Sequence, residues 1–477
     1  MKLLLVRPHV FLKIVERFHA FLHLEPLDLE IVAAGIDQRH ETRILDLTLS
    51  DSPMREFEAV VRDFAPDVVG FGGYSNQAGN VKLLARLVKQ IRPETTVIAG
   101  GVHATIVPED YHLPGTIDLI VRGEGATAMR EILPLIESGQ PIPESDRFLP
   151  TDSASFSSLA ATLPPPLPDY DTVPWPRRNL VNGTRYFCVW AGEPGERVPT
   201  LFPRVATVRT STGCPCRCNF CVVHYLANGK YLQREPEDVV AEIAAVPENH
   251  IYFVDDEMFI NAKRAEAIAH LLIEKNIRKR YVSWARSDTI CRHVDLFRLW
   301  KKAGLEVVYV GLESFESRNL EDYHKGYSPD TNRRAVEILR ELGIILHAAL
   351  MVNPDFVAED FLKLRKALEF LGPAEVSFTV FSPPPGTPLW NETKDRFICK
   401  DPYAFYDCMH TLLPTKLPLN TFYRYFSLLY LFSFRQNPWR CRRIKAPLKD
   451  MAKMFVSGAR CGRALRTIYK EYDPSLW

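Results

Sequence analysis

Cys214, Cys218 and Cys221 stand in a C-x3-C-x2-C pattern inside the stretch TSTGCPCRCNFCVVHY, residues 210 to 225. No other feature constrains the chain as much. Three thiolates so closely spaced can cap three corners of one cubic iron-sulfur cluster and leave the fourth iron open. An open iron needs a ligand from a substrate or cofactor, so the spacing predicts a site built around a second molecule. Structural zinc is the competing reading, because Cys216 makes a fourth cysteine in the same loop and zinc takes four ligands. Zinc sites usually draw ligand pairs from separate segments, and no second C-x2-C or Cys/His pair follows downstream. The spacing therefore favours the cluster, with Cys216 outside it.

The other six cysteines, at 188, 291, 399, 408, 441 and 461, are scattered without pairing rhythm and read as reduced thiols. They point to a reducing, cytoplasmic setting rather than a disulfide framework. At 477 residues, with 46% hydrophobic and 25% charged residues, the chain has room for two or three globular domains. The opening MKLLLVRPHV is too short an apolar run for a signal peptide. No run of about 18 apolar residues suggests a transmembrane helix. The net charge of +1 gives no reason to expect a nucleic-acid partner, but it conceals an asymmetry. Residues 419 to 477 hold twelve Lys/Arg against three Asp/Glu, a balance of +9 that leaves the first 418 residues at −8.

Apolar runs ending at polar or glycine residues mark buried parallel strands: KLLLV, RILDLT, DVVGFGGYS, TVIAGGVHAT and LIVRGEG. Helical patterns such as MREFEAVVRDF and NVKLLARLVKQI lie between them. Five strands alternating with helices predict an α/β domain with a doubly wound parallel sheet, its ligand over the strands' C-terminal ends. Glycines at three consecutive strand ends allow close approach of a large flat or anionic group. The positions are Gly73 with Tyr74 and Ser75, Gly100 and Gly101 with His103, and Gly123 with Arg122 and Glu124. The loop after the first strand reads RPHVF and not G-x-G-x-x-G, so nicotinamide or flavin binding is weakly supported.

Residues 140 to 202 are rich in proline and serine and read as a surface linker. Beyond it, RVATVRTSTG leads into the cysteine loop, and strands alternate with helices through HIYFVDDEMFI, YVSWARSD, VVYVGLESF, ILHAALMV and EVSFTVFSPPPGTPLW. Repeated β/α units after such a loop predict a partial (β/α)6 barrel with its site at the strands' C-terminal ends. Asp255, Asp256 and Glu257 end one of these strands, where carboxylates beside a bound cation would favour it. A helix N-cap role is the alternative for the aspartates.

The cysteine loop resembles that of the radical S-adenosylmethionine (SAM) enzymes, in which the SAM amino and carboxylate groups chelate the open iron. The spaced pattern GGVHAT, PED, DLIVRGEG resembles the cobalamin-binding domain of the cobalamin-dependent branch of that family. GLES at 311 to 314 resembles its recurring strand end, and PPPGTPLW at 383 to 390 its last barrel strand. The aromatic C-terminal region and LHLEPLDLE near the N-terminus resemble the hopanoid C-3 methylases within the group. The resemblance implies a [4Fe-4S] cluster on Cys214, Cys218 and Cys221. It places Phe220 near the SAM adenine, Asp255, Asp256 and Glu257 by the SAM ammonium, Arg286 by its carboxylate, and Glu313 and Ser314 by its ribose. The glycine-ended strands, residues 73–75, 100, 101, 103 and 122–124, would hold cobalamin. No Asp-x-His-x-x-Gly cobalt-ligand motif is present, so His103 reads as a pocket wall.

The implied organisation is a cobalamin-binding (Rossmann-like) domain at 1–139, the linker, a radical SAM partial barrel at 203–395 and a mainly helical, basic and aromatic region at 396–477. The implied activity is carbon methylation of an apolar, isoprenoid-like substrate, with methylcobalamin as methyl donor and electrons from a low-potential flavodoxin or ferredoxin. Oxidative ring formation, as in relatives of tetrapyrrole synthesis, and a non-enzymatic cobalamin-binding module are the alternatives. From Leu448, the positions Leu448, Met451, Phe455, Ala459, Gly462, Leu465 and Tyr469 form one apolar helical face beside basic residues, the layout of a helix lying on anionic membrane. A helix packed on the barrel is the other reading.

Overall fold

The computed structural model describes residues 1–190, 196–372, 374–436, 445–473 and 475. The basic run between 437 and 444 thus lies outside the described residues. Strands are numbered in chain order: β1 (Lys2–Arg7), β2 (Leu22–His23), β3 (Glu41–Asp46), β4 (Val68–Gly72), β5 (Thr96–Gly100), β6 (Leu119–Val121), β7 (Phe148–Pro150), β8 (Phe187–Cys188), β9 (Val205–Val208), β10 (Ser211–Thr212), β11 (Leu232–Gln233), β12 (His250–Phe253), β13 (Arg280–Ala285), β14 (Leu305–Glu313), β15 (Ile345–Val352) and β16 (Glu375–Val380).

The first sheet has the order β3-β1-β4-β5-β6-β7. Its period-two apolar strands serve two cores. Leu4 and Val6 face helices Pro53–Phe64 and Ala78–Ile91, while Leu3 and Leu5 face helices Leu27–Ala34 and Gly125–Ser138. This is the doubly wound arrangement, and its strand order reverses beside β1 and β4, where ligands of such sheets bind. A sixth strand corrects the sequence division. β7 pairs antiparallel with β6, although Phe148–Pro150 falls in the expected linker. Phe148 and Leu149 are apolar enough to bury one side chain in each core, and Pro150 is tolerated at a sheet edge.

The second sheet runs β9-β12-β13-β14-β15-β16, parallel throughout and open between β9 and β16. Its inner face carries Val205, Tyr252, Val282 and Val307, packed with Cys188 and Trp190 from the connecting segment. Its outer face joins the surrounding helices in the largest core. β16 ends at Val380, so PPPGTPLW is not a strand. It forms a loop and the helix Pro388–Thr393. Gly386, at φ 74°, lies so close to the first domain that a Cβ there would stand 2.6 Å from the Ile106 carbonyl oxygen.

Helices Leu419–Gln436 and Leu448–Thr467 close the fold, packing against helices Ala358–Leu371 and Lys13–Phe18 respectively. The apolar face expected on the last helix is divided. Leu465 and Tyr469 pack into the barrel core, whereas Leu448 and Phe455 are 83% and 68% exposed. Cys461 and Ile468, off that face, are buried instead. The helix is thus rotated from the expected face: its second half docks on the barrel core, while its first half is tied to the connecting segment through Asp450, which accepts from the Thr200 hydroxyl at 2.7 Å and the Leu201 backbone N–H at 2.9 Å, and leaves Leu448 and Phe455 exposed.

Candidate active site

The cysteine loop follows β9 and is held by its neighbours before any cluster is considered. Gly213 has φ 87°, and a Cβ there would fall 2.2 Å from the Lys230 carbonyl oxygen, so the loop requires glycine. Asp255 accepts from the Thr210 backbone N–H at 3.1 Å, from the Thr210 hydroxyl at 2.7 Å and from the Ser211 hydroxyl. Asp256 accepts from the Gly213 backbone N–H at 2.7 Å. Glu257, buried, accepts from the backbone N–H groups of Arg286 at 2.6 Å and Phe259 at 3.3 Å. Burial pushes its carboxyl up to about 8. The aspartates do not cap the next helix. Asn261 does, accepting from the Arg264 backbone N–H.

Cys218 is buried, and Cys214, Cys216 and Cys221 are partly accessible. A hydrogen bond from the Cys214 thiol lowers the Cys216 thiol against its burial, and raises Cys214 in turn. Burial pushes Cys221 up to about 11. Arg286 faces the loop: Nη1 donates to Cys218 Sγ at 3.7 Å, Nη2 to the Lys325 carbonyl oxygen at 2.7 Å, and Nε to Asp288 at 3.0 Å.

Glu313 ends β14 in the left-handed region at φ 57°, an uncommon conformation for this residue type. Its carboxylate stands 3.3 Å from Lys325 Nζ, a buried ammonium 5.6 Å from the centre of the Phe220 ring and 5.5 Å from that of Tyr327. Burial opposes the Lys325 charge, but Glu313 more than offsets this and holds it above the ordinary lysine range. Phe220 also meets the edge of Tyr323 at 5.8 Å. Ser314 sits in the turn beyond, accepting from the Glu316 backbone N–H and from Asn319.

The glycine-ended strands of the first sheet interlock. A Cβ on Gly101, at φ 88°, would stand 2.7 Å from Gly73 N, and His103 N donates to Gly73 O at 3.3 Å. At Gly101, then, the missing side chain admits the neighbouring loop and not a ligand. Tyr74 projects from this crossing. It keeps 58% of its surface accessible although protein surrounds it, and Asp28 and then burial push its phenol up to about 12, with Arg209 and Asp256 within electrostatic reach. Both His103 ring nitrogens are engaged, Nδ1 with Ser75 Oγ at 3.0 Å and Nε2 with Asp110 Oδ2 at 3.1 Å. Two side chains expected at the ligand bond within the protein instead of standing free. Arg122 is buried with its guanidinium on the carbonyls of Thr105, Asp146, Leu159 and Thr162. Glu124 caps its helix by accepting from the Ala126 and Thr127 backbone N–H groups. Gly100 and Gly123 stand at the strand ends as expected, the latter with the Pro165 ring 3.2 Å from where its Cβ would lie.

These two ends meet. Helix Gly101–Ile106 touches helix Val223–Leu226, which leaves the cysteine loop, and Asp256 lies within electrostatic reach of Tyr74. A family model described as the Radical SAM superfamily matches residues 208–368, and one described as the B12 binding domain matches residues 18–133. The hopanoid C-3 methylase of Methylococcus capsulatus is 31% identical over 409 residues, covering 84% of this chain and 75% of that protein. The chain belongs to the cobalamin-dependent radical SAM methylases. An anaerobic magnesium-protoporphyrin IX monomethyl ester cyclase from Rubrivivax gelatinosus is 24% identical over 73% of this chain and 61% of its own length. Among solved structures, the radical SAM methyltransferase TsrM from Kitasatospora setae with cobalamin and a [4Fe-4S] cluster superposes with a TM-score of 0.60 at 17% identity, covering 94% of this chain and 91% of that one. The cobalamin-dependent SAM radical enzyme OxsB superposes at 0.57, with 16% identity over 96% of this chain and 66% of that one. These two share the fold.

This methylase takes a [4Fe-4S] cluster, SAM and cobalamin. Among the described residues, no three His, Cys, Asp or Glu side chains converge to hold a single metal ion. A cubic cluster asks for something else, one thiolate at each of three separated corners. The loop supplies that donor set next to two cations, Arg286 and Lys325, which favour thiolate. The accessible Tyr74 and the engaged His103 fit a large ligand held without imidazole. Lys325 and Tyr327 escaped the sequence reading, as did Tyr406 and Cys408, whose side chains lie within electrostatic reach of Cys221 and Glu313 respectively. YHKGY at 323 to 327, a lysine among aromatics just after GLES, was the available signal for the first two.

Proposed function

We propose that this methylase transfers a methyl group to an unactivated carbon of an apolar substrate, a hopanoid or another polycyclic isoprenoid. When bound, the three cofactors supply the chemistry: reductive cleavage of SAM to a carbon-centred radical, hydrogen abstraction from the substrate, and methyl delivery from cobalt. The observation that carries the reading is the contact of helix Gly101–Ile106 with helix Val223–Leu226, because it brings the glycine-ended strands beside the cysteine loop, which suits two cofactors acting on one carbon. Similarity to a hopanoid C-3 methylase supports the substrate class.

In this reading Cys214, Cys218 and Cys221 hold the cluster and Cys216 does not. Asp256 and the buried Glu257 orient the SAM ammonium, Arg286 its carboxylate, Glu313 with Lys325 the ribose, and Phe220 packs by the adenine. Gly73, Tyr74, Ser75 and the Gly100–Gly101 loop form the wall for cobalamin, with His103 locked to Ser75 and Asp110 and so not bound to cobalt. A flavodoxin or ferredoxin delivers the electron. No helix among the described residues is long and apolar enough to cross a membrane. The first half of helix Leu448–Thr467, with Lys449 beside the exposed Leu448 and Phe455, supports peripheral contact with anionic lipid. Anaerobic incubation of the reconstituted enzyme with SAM, a reductant and a hopanoid tests the function. Gain of one methyl by the lipid supports it, and release of 5′-deoxyadenosine with the lipid unchanged argues against this substrate class.

A further inference from the structure

A buried joint of charged side chains ties the first domain to the barrel. Glu25 and Glu30 come from the start of the first domain, and both are buried. Glu25 accepts from the backbone N–H of Thr207 in β9 at 2.7 Å and from its hydroxyl at 2.8 Å. Arg178, on the connecting segment, bonds Glu25 through Nη1. Its Nη2 donates to Glu242 Oε1 and to the Thr207 carbonyl oxygen, each at 2.6 Å. The adjacent Arg177 donates its backbone N–H to the Glu30 carbonyl oxygen at 3.0 Å. One guanidinium thus engages the first domain, a barrel strand and a barrel helix.

The joint gathers several carboxylates around two guanidinium groups. Arg178 and Arg234 face Glu25 and Glu242, and Arg234 also pairs with Asp238 at 2.7 Å. Glu30 is fully buried with no hydrogen-bond partner on either oxygen, its Oε2 3.7 Å from Arg178 Nη1. Burial first and then the Glu25 charge raise it to about 8, with Glu242 adding and Arg178 and Arg7 opposing. The neutral form of Glu30 is thereby favoured.

The same helix, Leu27–Ala34, reaches the cofactor end. Asp28 pairs at 2.7 Å with Arg209, just before the cysteine loop. Leu29 packs so close to Gly72 that a Cβ there would lie 2.9 Å from Leu29 Cδ2. The helix thus contacts both the strand that ends before Tyr74 and the segment that leads into the cysteine loop. We propose that Arg178 is a positioning residue that sets the separation and orientation of the cobalamin domain on the barrel, touching neither cofactor. The structural arm of its test is independent of the proposed function, and only the kinetic arm rests on it.

Hydrogen exchange on the full-length, cofactor-free protein reads the joint directly. In Arg178→Ala, amides of residues 25–34 and 170–180 exchange at least tenfold faster, while those of residues 305–313 stay within twofold of wild type. In reconstituted Arg178→Ala enzyme, SAM cleavage stays within threefold of wild type, but methyl transferred per SAM cleaved falls at least tenfold. Arg178→Lys, which keeps the charge but cannot bridge three partners, recovers part of both losses. Glu30→Gln leaves exchange at the joint unchanged at pH 7. Wild-type exchange at the joint in Arg178→Ala would overturn the proposal. So would an equal fall in cleavage and methyl transfer with no recovery by lysine. Should Arg178→Ala fail to fold, Arg178→Lys decides, with at least threefold faster exchange at residues 25–34 expected and wild-type exchange contradicting.

Discussion

Asp256 accepts the backbone N–H of Gly213 at 2.7 Å, tying the end of β12 to the residue before Cys214. The carboxylate therefore holds the loop and, in the proposed site, meets the SAM ammonium. The two roles separate by substitution. Asp256→Asn keeps an acceptor but loses the charge, so iron content stays near wild type and the SAM KM rises about tenfold or more, for one charge-assisted bond worth about 1.5–3 kcal/mol. Asp256→Ala loses both, and iron falls as well. Normal SAM affinity in Asp256→Asn would remove it from the SAM site.

Replacing Cys214, Cys218 or Cys221 with alanine abolishes cluster binding, and Cys216→Ala leaves it intact. Iron and sulfide analysis of anaerobically reconstituted protein checks this. Near-normal iron in Cys218→Ala, or loss in Cys216→Ala alone, would reassign the ligands.

His410 is fully buried between Asp407 at 2.8 Å and Glu471 at 3.3 Å. Burial disfavours its charge, but Asp407 and Glu471 outweigh burial and raise the ring to about 9. Because this folded value lies above the ordinary 6.5, the stabilisation is complete below about pH 6.5 and is lost as pH rises through about 9. His410→Ala leaves Asp407 buried without its cation, at a cost of about 3–5 kcal/mol. Denaturant unfolding of both proteins from pH 5.5 to 9.5 measures the difference, which shrinks across that window. A difference independent of pH would show the ring to be neutral.

The exposed apolar residues of the last helix provide a further test. Leu448→Glu with Phe455→Glu alters side chains that are 83% and 68% exposed, so the melting temperature stays unchanged. Cosedimentation with anionic vesicles at low salt is lost, because burying either side chain in lipid gains about 1.5–3 kcal/mol. Wild-type protein that stays in the supernatant would contradict membrane contact.

Much of this was legible in the sequence. Leu3 to Val6 and their counterparts are apolar on both faces, which only a sheet covered on both sides explains, and the cysteine spacing admits few alternatives. Chemistry at strand ends was less readable. Arg122 and Glu124 follow a strand just as Tyr74 does, yet they hold the connecting segment and cap a helix, because a strand-end motif reads the same whichever way its side chains turn. Gly101 is required by Gly73, a contact between segments that no local pattern encodes. Lys325 escaped for the same reason. Its partner Glu313 is twelve residues away, and only the turn after β14 brings them together. On the last helix, the apolar stripe was visible but its division was not, since docking of Leu465 depends on the barrel beside it.

The most direct test of the account follows the methyl group. Reconstituted enzyme supplied with SAM carrying a deuterated methyl group, a low-potential reductant and a hopanoid should yield lipid bearing the intact labelled methyl, together with 5′-deoxyadenosine. A ring-closed or otherwise oxidised product without label would contradict carbon methylation and place this chain with the cyclases.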